Sequence, residues 1–541
     1  MSAIESLDLA TAWKRMKADR PHRTFVSHPH LFGVIDTDVE GWFGTIRDRG
    51  DKLFAPAESA LLEIPKPNWL VRPAHIVTHD DELLYTAIVG AFHGPIHDRI
   101  KWSQGTKDIA YRLASPSKTP HWVKSGFNIW EEWRVKSLAA ITSDVFYVLE
   151  TDVTGFYENI DHKRLHSDLK SLAVPDELLN GLMTYLGRWA GPRGKGIPQG
   201  YSASDVLAKL YMDPVDRGLR SVGFSHLRYV DDFRVFCRSM REAKQALLKL
   251  NELVRIRGLN LQSGKTKILS ADQARHVIDG VAPTIKAITA EIARELKELG
   301  GGGLIYGTLQ DLERYLARNP DGPPPEILER AFTENFLLTG DGFNKTMFHY
   351  LLARLGRVQS TVAVDYCRRQ LAARPEETRY ILRYLGSLPA DPMTHDAILA
   401  LMESPDAIYE YQLFELVRWF YSVSTYPDRL LRLCRTWAGD MNKPACLRGF
   451  ARAVLGEAAF PDDLDLLESE CSKATTVVDK ADLIISLFRM EVSRRNTVLG
   501  RFKGDGFLVQ RAIEYAKKLS SQAGEGSHYF PYSSDMNEEG E

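Results

Sequence analysis

The chain has 541 residues, 44% of them hydrophobic and 26% charged, with a net charge of −2 at neutral pH. That is the composition of a globular protein long enough for two or three domains, and it carries no overall basic signal for nucleic acid, although a basic groove can hide in a neutral total. Cys237, Cys367, Cys434, Cys446 and Cys471 are scattered without a C-x-x-C pair, which excludes a zinc ribbon or disulfide framework and points to a reducing cytosol.

Residues 1–20 read as an amphipathic helix without an apolar run, not as a signal peptide. No stretch approaches the roughly 18 uninterrupted apolar residues of a membrane span, so no membrane partner is expected and the expected location is the cytoplasm. Residues 1–80 mix helical patterns with loops and form an N-terminal helical extension. Two turns stand out in it, Phe25-Val26-Ser27-His28-Pro29-His30 and Pro65-Lys66-Pro67-Asn68-Trp69. Histidines flanking a proline can ligate a metal, but more often they are plain loop residues. Residues 82–113 read as helix, loop and then Tyr111-Arg112-Leu113. Over residues 127–142, Phe127, Trp130, Trp133 and Leu138 recur at helical spacing, as core residues do.

The texture then changes. Val145-Phe146-Tyr147-Val148-Leu149 is a continuous apolar run, as in a buried strand. It leads into Glu150-Thr151-Asp152-Val153-Thr154-Gly155, with Asp152 at the strand's exit, a tight Thr-Gly turn and a helix from about Phe156 to Leu169. Alone, Asp152 is equally a helix cap or a ligand. Residues 191–200, GPRGKGIPQG, have an open backbone that can approach a ligand closely, but no G-K-[ST] ending of a Walker loop. A helix follows with Val206, Leu207, Leu210 and Tyr211 on one face. Leu227 to Phe236 reads as a β-hairpin with Asp231 and Asp232 at its tip. On its own this is a solvated Asp-Asp turn. A helix spans about Met240 to Arg257, and Gly258-Leu259-Asn260-Leu261 turns into Gly264-Lys265-Thr266-Lys267-Ile268. Flexible breaks are expected at Gly300–Gly303 and Pro320–Pro325. Helical patterns then recur to about Leu519 every 30–45 residues, resembling a HEAT-type array, and residues 520–541 read as a disordered acidic tail.

Asp152, Asp231 and Asp232 thus stand at strand ends or turns. Each pair of carboxylates brought to about 4 Å costs roughly 1–4 kcal/mol, and divalent cations reverse that sign. Mg²⁺ prefers carboxylates plus substrate phosphates, and two such ions suit phosphoryl transfer.

The order of parts is what is specific. It runs from strand-Asp152-x-x-x-Phe156-Tyr157 to Gly196-Ile197-Pro198-Gln199-Gly200-x-x-x-Ser204. Tyr229-Val230-Asp231-Asp232 and then Gly258-Leu259-Asn260-Leu261-x-x-x-Lys265-Thr266 follow, all within about 115 residues. Motif for motif this resembles the palm of reverse transcriptases, over about residues 80–285. The resemblance implies an α+β right-hand polymerase with fingers and palm in 81–285, a linker or thumb-like segment in 286–325 and an all-α HEAT-like domain in 326–519. It implies that Asp152 and Asp231 ligate two Mg²⁺ ions (Mn²⁺ substituting), with the Val153 carbonyl assisting and Asp232 less directly bound. Tyr157 takes the place of the aromatic gate against a ribose 2′-OH, with plain helix packing as the alternative. Gln199 and the Gly200 amide would meet the incoming nucleotide or template base. Lys265 would lie near the leaving pyrophosphate, unless it is a solvated lysine. Arg112 falls where the fingers supply a triphosphate-binding cation, a place that a surface arginine fills equally well.

No H-N-H pattern and no ribonuclease H acid series appears. A palm followed by helical repeats resembles the bacterial abortive-infection and unknown-group reverse transcriptases of antiphage defence. That resemblance implies dNTPs, a DNA product, an RNA template and a homo-oligomer as partners. It also allows template-free or protein-primed synthesis. One departure matters: after Lys265 the usual Leu-Gly primer-grip hairpin is altered or absent, since the chain reads Ile268-Leu269-Ser270-Ala271 and then His276-Val277-Ile278-Asp279-Gly280. Two other functions stand beside the leading one: an RNA-dependent RNA polymerase, which Tyr157 and Val230 speak against, and a helical-repeat interaction protein with a vestigial palm.

Overall fold

The computed structural model describes residues 6–20, 25, 28–50, 54–116, 121–124, 129–190, 193–279, 284, 287–290, 324–338 and 342–522. The break expected at Gly300–Gly303, most of that at Pro320–Pro325, most of the 286–325 segment and the tail beyond residue 522 lie outside the described residues. Two compact units emerge. One takes the N-terminal residues to Leu62 together with Pro73–Ile278, and the other takes Glu63–Arg72 and the chain from Asp279. The architecture is α+β, a mixed unit with a four-stranded antiparallel sheet followed by a helical C-terminal region. Among the described residues no helix is long and apolar enough to cross a membrane. All five cysteines are buried free thiols.

The N-terminal extension is not helical throughout. After helices such as Leu9–Asp19 and Val39–Arg47, β1 (Ala60–Pro65) and β2 (Val71–Ile76) pair as a two-stranded sheet. Pro67 starts the turn between them, and Asn68 and Trp69 follow with positive φ. That left-handed pair reverses the chain where a helix cannot continue.

The first unit is built on a four-stranded antiparallel sheet, order β4-β5-β3-β6, from β3 (Tyr147–Asp152), β4 (Ser225–Tyr229), β5 (Asp232–Cys237) and β6 (Lys267–Ser270). Both faces are covered. Val148 and Phe236 pack with Trp133, Ala274 and Ile278 on one face, and Leu149, Val235 and Cys237 pack with Ala243 and Ala246 on the other. Burial on two faces explains the adjacent pair Val148-Leu149 within the apolar run, one on each face and both fully buried. The strand nevertheless starts later than the run and reaches Asp152, and Phe146 before it is 59% exposed. The helix expected over 156–169 is two helices, Phe156–Asn159 and His162–Lys170. The break comes at Ile160, in extended conformation, and Asp161, whose carboxylate accepts from the Arg164 amide at 3.0 Å and caps the second helix. After β6 the chain enters the helix Ala271–Ile278, not a hairpin.

In the second unit, helices Thr378–Ser387, Glu410–Ser422, Ala445–Ala458, Val477–Ser486 and Phe507–Gln522 pack each on the next. The intervening helices are bridged by arginines: Arg368 to Asp391, Arg429 to Glu403 at 2.6 Å, Arg435 to Asp463 at 2.5 Å and Arg494 to Glu468 at 2.6 Å. Gly456 sits where Ala445–Ala458 and Val477–Ser486 come closest, and a Cβ there would collide with the backbone carbonyl of Ser486. Gly456→Ala is therefore expected to lower stability by about 1–3 kcal/mol. Calorimetry of the full chain checks this, and an unchanged melting temperature would contradict the close approach.

Candidate active site

The site begins with strand register. β3 and β5 run antiparallel so that Asp152 stands opposite Asp232, and the pair Glu150–Arg234 lies two residues deeper on the same face. Between β4 and β5 a two-residue turn, Val230-Asp231, places the third carboxylate. One oxygen each from Asp152, Asp231 and Asp232 lies within 4.8 Å of the others, with Asp152 buried, Asp231 half-buried and Asp232 exposed. Among the described residues this is the only group of three or more potential metal ligands. His28 and His30 are both buried, with ring centroids 6.0 Å apart, and belong to no such group.

Burial, then the charges of Asp152 and Asp232, push the Asp231 carboxyl up to about 7. Burial and Asp152 push Asp232 up to about 6, against the opposing pull of Lys265 and Arg234. Lys265 places its ammonium 2.7 Å from the Asp152 carboxylate. Burial works against that ammonium, but the hydrogen bond and the charge of Asp152 outweigh it and raise the lysine's pKa. Three hard oxygen donors with one lysine between them match the ligand preference of Mg²⁺ or Mn²⁺, so these residues fit the divalent ions that phosphoryl transfer requires.

The turn itself is strained. Val230 has φ 56°, at a hairpin position where glycine is ordinary and a β-branched residue costs about 1–3 kcal/mol. Both turn carbonyls are held. Arg228 Nη1 donates to the Val230 carbonyl at 2.8 Å, and the Val153 amide donates to the Asp231 carbonyl at 3.2 Å. Arg228 is 2% exposed. Its guanidinium grips Asp216 through two nitrogens, at 2.7 and 3.0 Å, and reaches Asp108 at 3.2 Å. Asp108 also takes Lys209 at 2.6 Å, and His226 lies 3.2 Å from Asp216. Burial opposes the Arg228 charge, yet Asp108 and Asp216 keep it firmly protonated. Backbone bonds tie the same segments together: Ile109 N–H to the Arg228 carbonyl at 2.9 Å and Arg228 N–H to the Lys107 carbonyl at 2.7 Å.

The remaining expected residues fall as follows. Val153 pairs across to Leu261, and Thr154 N–H donates to Asn260 at 2.8 Å, so Gly258-Leu259-Asn260-Leu261 braces the exit of β3. The Tyr157 hydroxyl donates to Asp205 at 2.5 Å, and its ring lies edge-on to Phe156. Ser204 bonds Tyr85 at 2.8 Å. Gln199 is half-buried, and Gly200 is exposed with φ 93°, a conformation open to glycine. Arg112 does not join the carboxylates: it is ion-paired with Glu132 and its side chain is 17% exposed. Sequence reasoning passed over Arg228, Asp108, Asp216, Lys209 and Asp205. The available signal was Arg228 itself, a charge inside an apolar strand next to the Asp-Asp turn.

Residues 64–300 match the family model of the reverse transcriptase (RNA-dependent DNA polymerase). The match spans 237 of the 541 residues and indicates a nucleotidyltransferase of the RNA-directed DNA polymerase class. No curated protein matches the chain. Among solved structures, the chain is similar to apo telomerase from Candida tropicalis truncated from its C-terminal domain (10% identity, TM-score 0.28, covering 39% of this chain and 50% of that one). It is also similar to Candida albicans telomerase in complex with a TWJ fragment of telomeric RNA (12% identity, TM-score 0.29, covering 68% of this chain and 63% of that one). The Candida tropicalis complex with the same kind of fragment gives 11% identity, TM-score 0.28 and coverage of 67% of this chain and 68% of that one.

An aspartate whose folded-state pKa is raised, from 3.8 to about 7 for Asp231, destabilises the folded chain increasingly as pH climbs between those values. Asp231→Asn is therefore expected to stabilise the metal-free protein at pH 8, by up to about 4 kcal/mol, and to have little effect near pH 4. Denaturant unfolding with a chelator present measures both, and a destabilised Asn variant at pH 8 would refute the account.

Proposed function

From a chain that carries a reverse transcriptase domain, we propose an RNA-directed DNA polymerase that adds deoxynucleotides by two-metal phosphoryl transfer. The observation that carries this reading is the meeting of Asp152, Asp231 and Asp232 within 4.8 Å at one end of the sheet. Asp152 and Asp231 would hold two Mg²⁺ ions, or Mn²⁺ in their place, with the Val153 carbonyl assisting and Asp232 less directly bound. When bound, such ions supply the positive charge that activates an attacking hydroxyl and offsets the charge of the leaving pyrophosphate.

The chain's own groups do the rest. Lys265, already beside Asp152, is the proton donor for the leaving group. The bulk of Tyr157 excludes a ribose 2′-OH and selects dNTPs. Gln199 and the Gly200 amide contact the incoming nucleotide or the template base. Arg112 binds triphosphate only by releasing Glu132, its partner in the fold.

The proposal extends to the whole protein. The second unit is read as a HEAT-like array, supported by helices that pack each on the next. A palm joined to such an array supports a role in antiphage defence as a homo-oligomer. The helix Ala271–Ile278 where a primer-grip hairpin is usual favours unusual priming, from a protein hydroxyl or without a template.

Asp231→Ala combined with Asp232→Ala is expected to abolish nucleotide incorporation and phage protection together. Plaque counts on cells expressing the variant test the second half, and protection that survives separates defence from catalysis. Incubating the wild-type chain with each dNTP, with and without RNA template, followed by nuclease and protease digestion, reports template need and covalent attachment. Incorporation of rNTPs in preference to dNTPs would turn the reading to an RNA polymerase.

A further inference from the structure

Next to the Val230-Asp231 turn lies a narrow cleft lined by Tyr111, Phe156, Tyr157, Asp205 and Val230, among others. Asp205 is a fourth acid, outside the metal-ligand group. It stands in the first turn of the helix Ser202–Ser221, and it accepts the Tyr157 hydroxyl at 2.5 Å. Tyr157 itself rides on the four-residue helix Phe156–Asn159. So short an element fixes a ring poorly, because few backbone bonds hold it. Its main chain is tied by the Ile197 amide, which donates to the Tyr157 carbonyl at 3.0 Å. The hydroxyl end is held by Asp205. A phenol donating to a carboxylate forms a short, charge-assisted bond, about twice as strong as a neutral one. Burial and the neighbouring Asp205 together keep that phenol protonated as the donor.

Resting on the polymerase reading above, we propose that Asp205 is a positioning residue for sugar discrimination: its carboxylate pins the Tyr157 ring in the cleft beside Val230 and Asp231, so that the ring blocks a 2′-OH. A ring of the same volume without that anchor can rotate about χ1 and give way to the ribose. Volume alone then does not set the selectivity, and the residue that sets it comes from a different helix 48 positions away.

The test compares kcat/KM for each dNTP with that for the matching rNTP, using the full chain and Mn²⁺ or Mg²⁺. Asp205→Ala and Tyr157→Phe are each expected to raise rNTP use relative to dNTP about tenfold, the scale of one such bond. The shift should lie mainly in KM for the rNTP. Because both remove the same bond, the double variant is expected to show no more than either single one. Asp205→Asn, which keeps an acceptor oxygen, is expected to restore discrimination to near the wild-type ratio. A ratio unmoved in Asp205→Ala, or a double variant equal to the product of the singles, overturns the proposal. So does an Asn variant as permissive as the Ala variant. A wild-type chain that incorporates no nucleotide at all overturns the polymerase reading instead, which distinguishes the two failures.

Discussion

Three carboxylates within 4.8 Å repel one another, and the first unit is arranged so that they cannot move apart. Asp152 and Asp232 are locked as opposite partners by β3–β5 pairing. Sliding that register by one residue would turn the whole strand over and exchange the side chains packed on its two covered faces. Asp231 has no such partner and depends on the turn. The turn, in turn, depends on a backbone conformation that valine resists, at φ 56°. Strain of that kind persists only where the surroundings over-determine it. Here Arg228 and Val153 occupy both of the turn's carbonyls.

Arg228 can do this because its own charge is settled elsewhere. Asp216 takes it through two nitrogens and Asp108 supplies a further oxygen, while Lys209 shares Asp108. Removing one partner from a buried set of this kind is strongly destabilising, about 3–5 kcal/mol, because it strands the other charge away from water. The set also joins segments far apart in the chain: the Lys107–Ile109 backbone, the helix Ser202–Ser221 and β4. The position of the Val230-Asp231 turn is thereby fixed by the core rather than by a surface loop.

Much of this was legible in the sequence and part was not, for physical reasons. Asp152, Asp231 and Asp232 could be read because each follows or interrupts an apolar run, and strand ends are local features. The helical region could be read from its 3.6-residue periodicity. The hairpin at residues 60–76 and the break at Ile160–Asp161 could not, since they turn on local φ values and a cap. The partner of Arg112 was not legible, because its sequence position carries no information about Glu132, 20 residues on, which takes its guanidinium. Asp205 was hidden inside a helical pattern. A polar residue one turn into an amphipathic helix reads as solvent-facing until its partner across the fold is known.

Charge balance separates the two kinds of polar cluster in the chain. Asp108 and Asp216 with Lys209 and Arg228 form two acids and two bases, buried and matched. In the second unit Asp479 is similarly enclosed by Arg448 and Arg452 at 2.8 and 2.6 Å, and these arginines hold its carboxyl down to about 2 despite burial. In those clusters the acids are offset by bases within the fold, although one oxygen of Asp108 is buried without a hydrogen-bond partner. The group at the end of β3 is different: three acids face one lysine, and two of the acids are driven toward protonation. That imbalance, set beside clusters in which acids and bases nearly match, is what makes the group at the end of β3 a candidate site for cations.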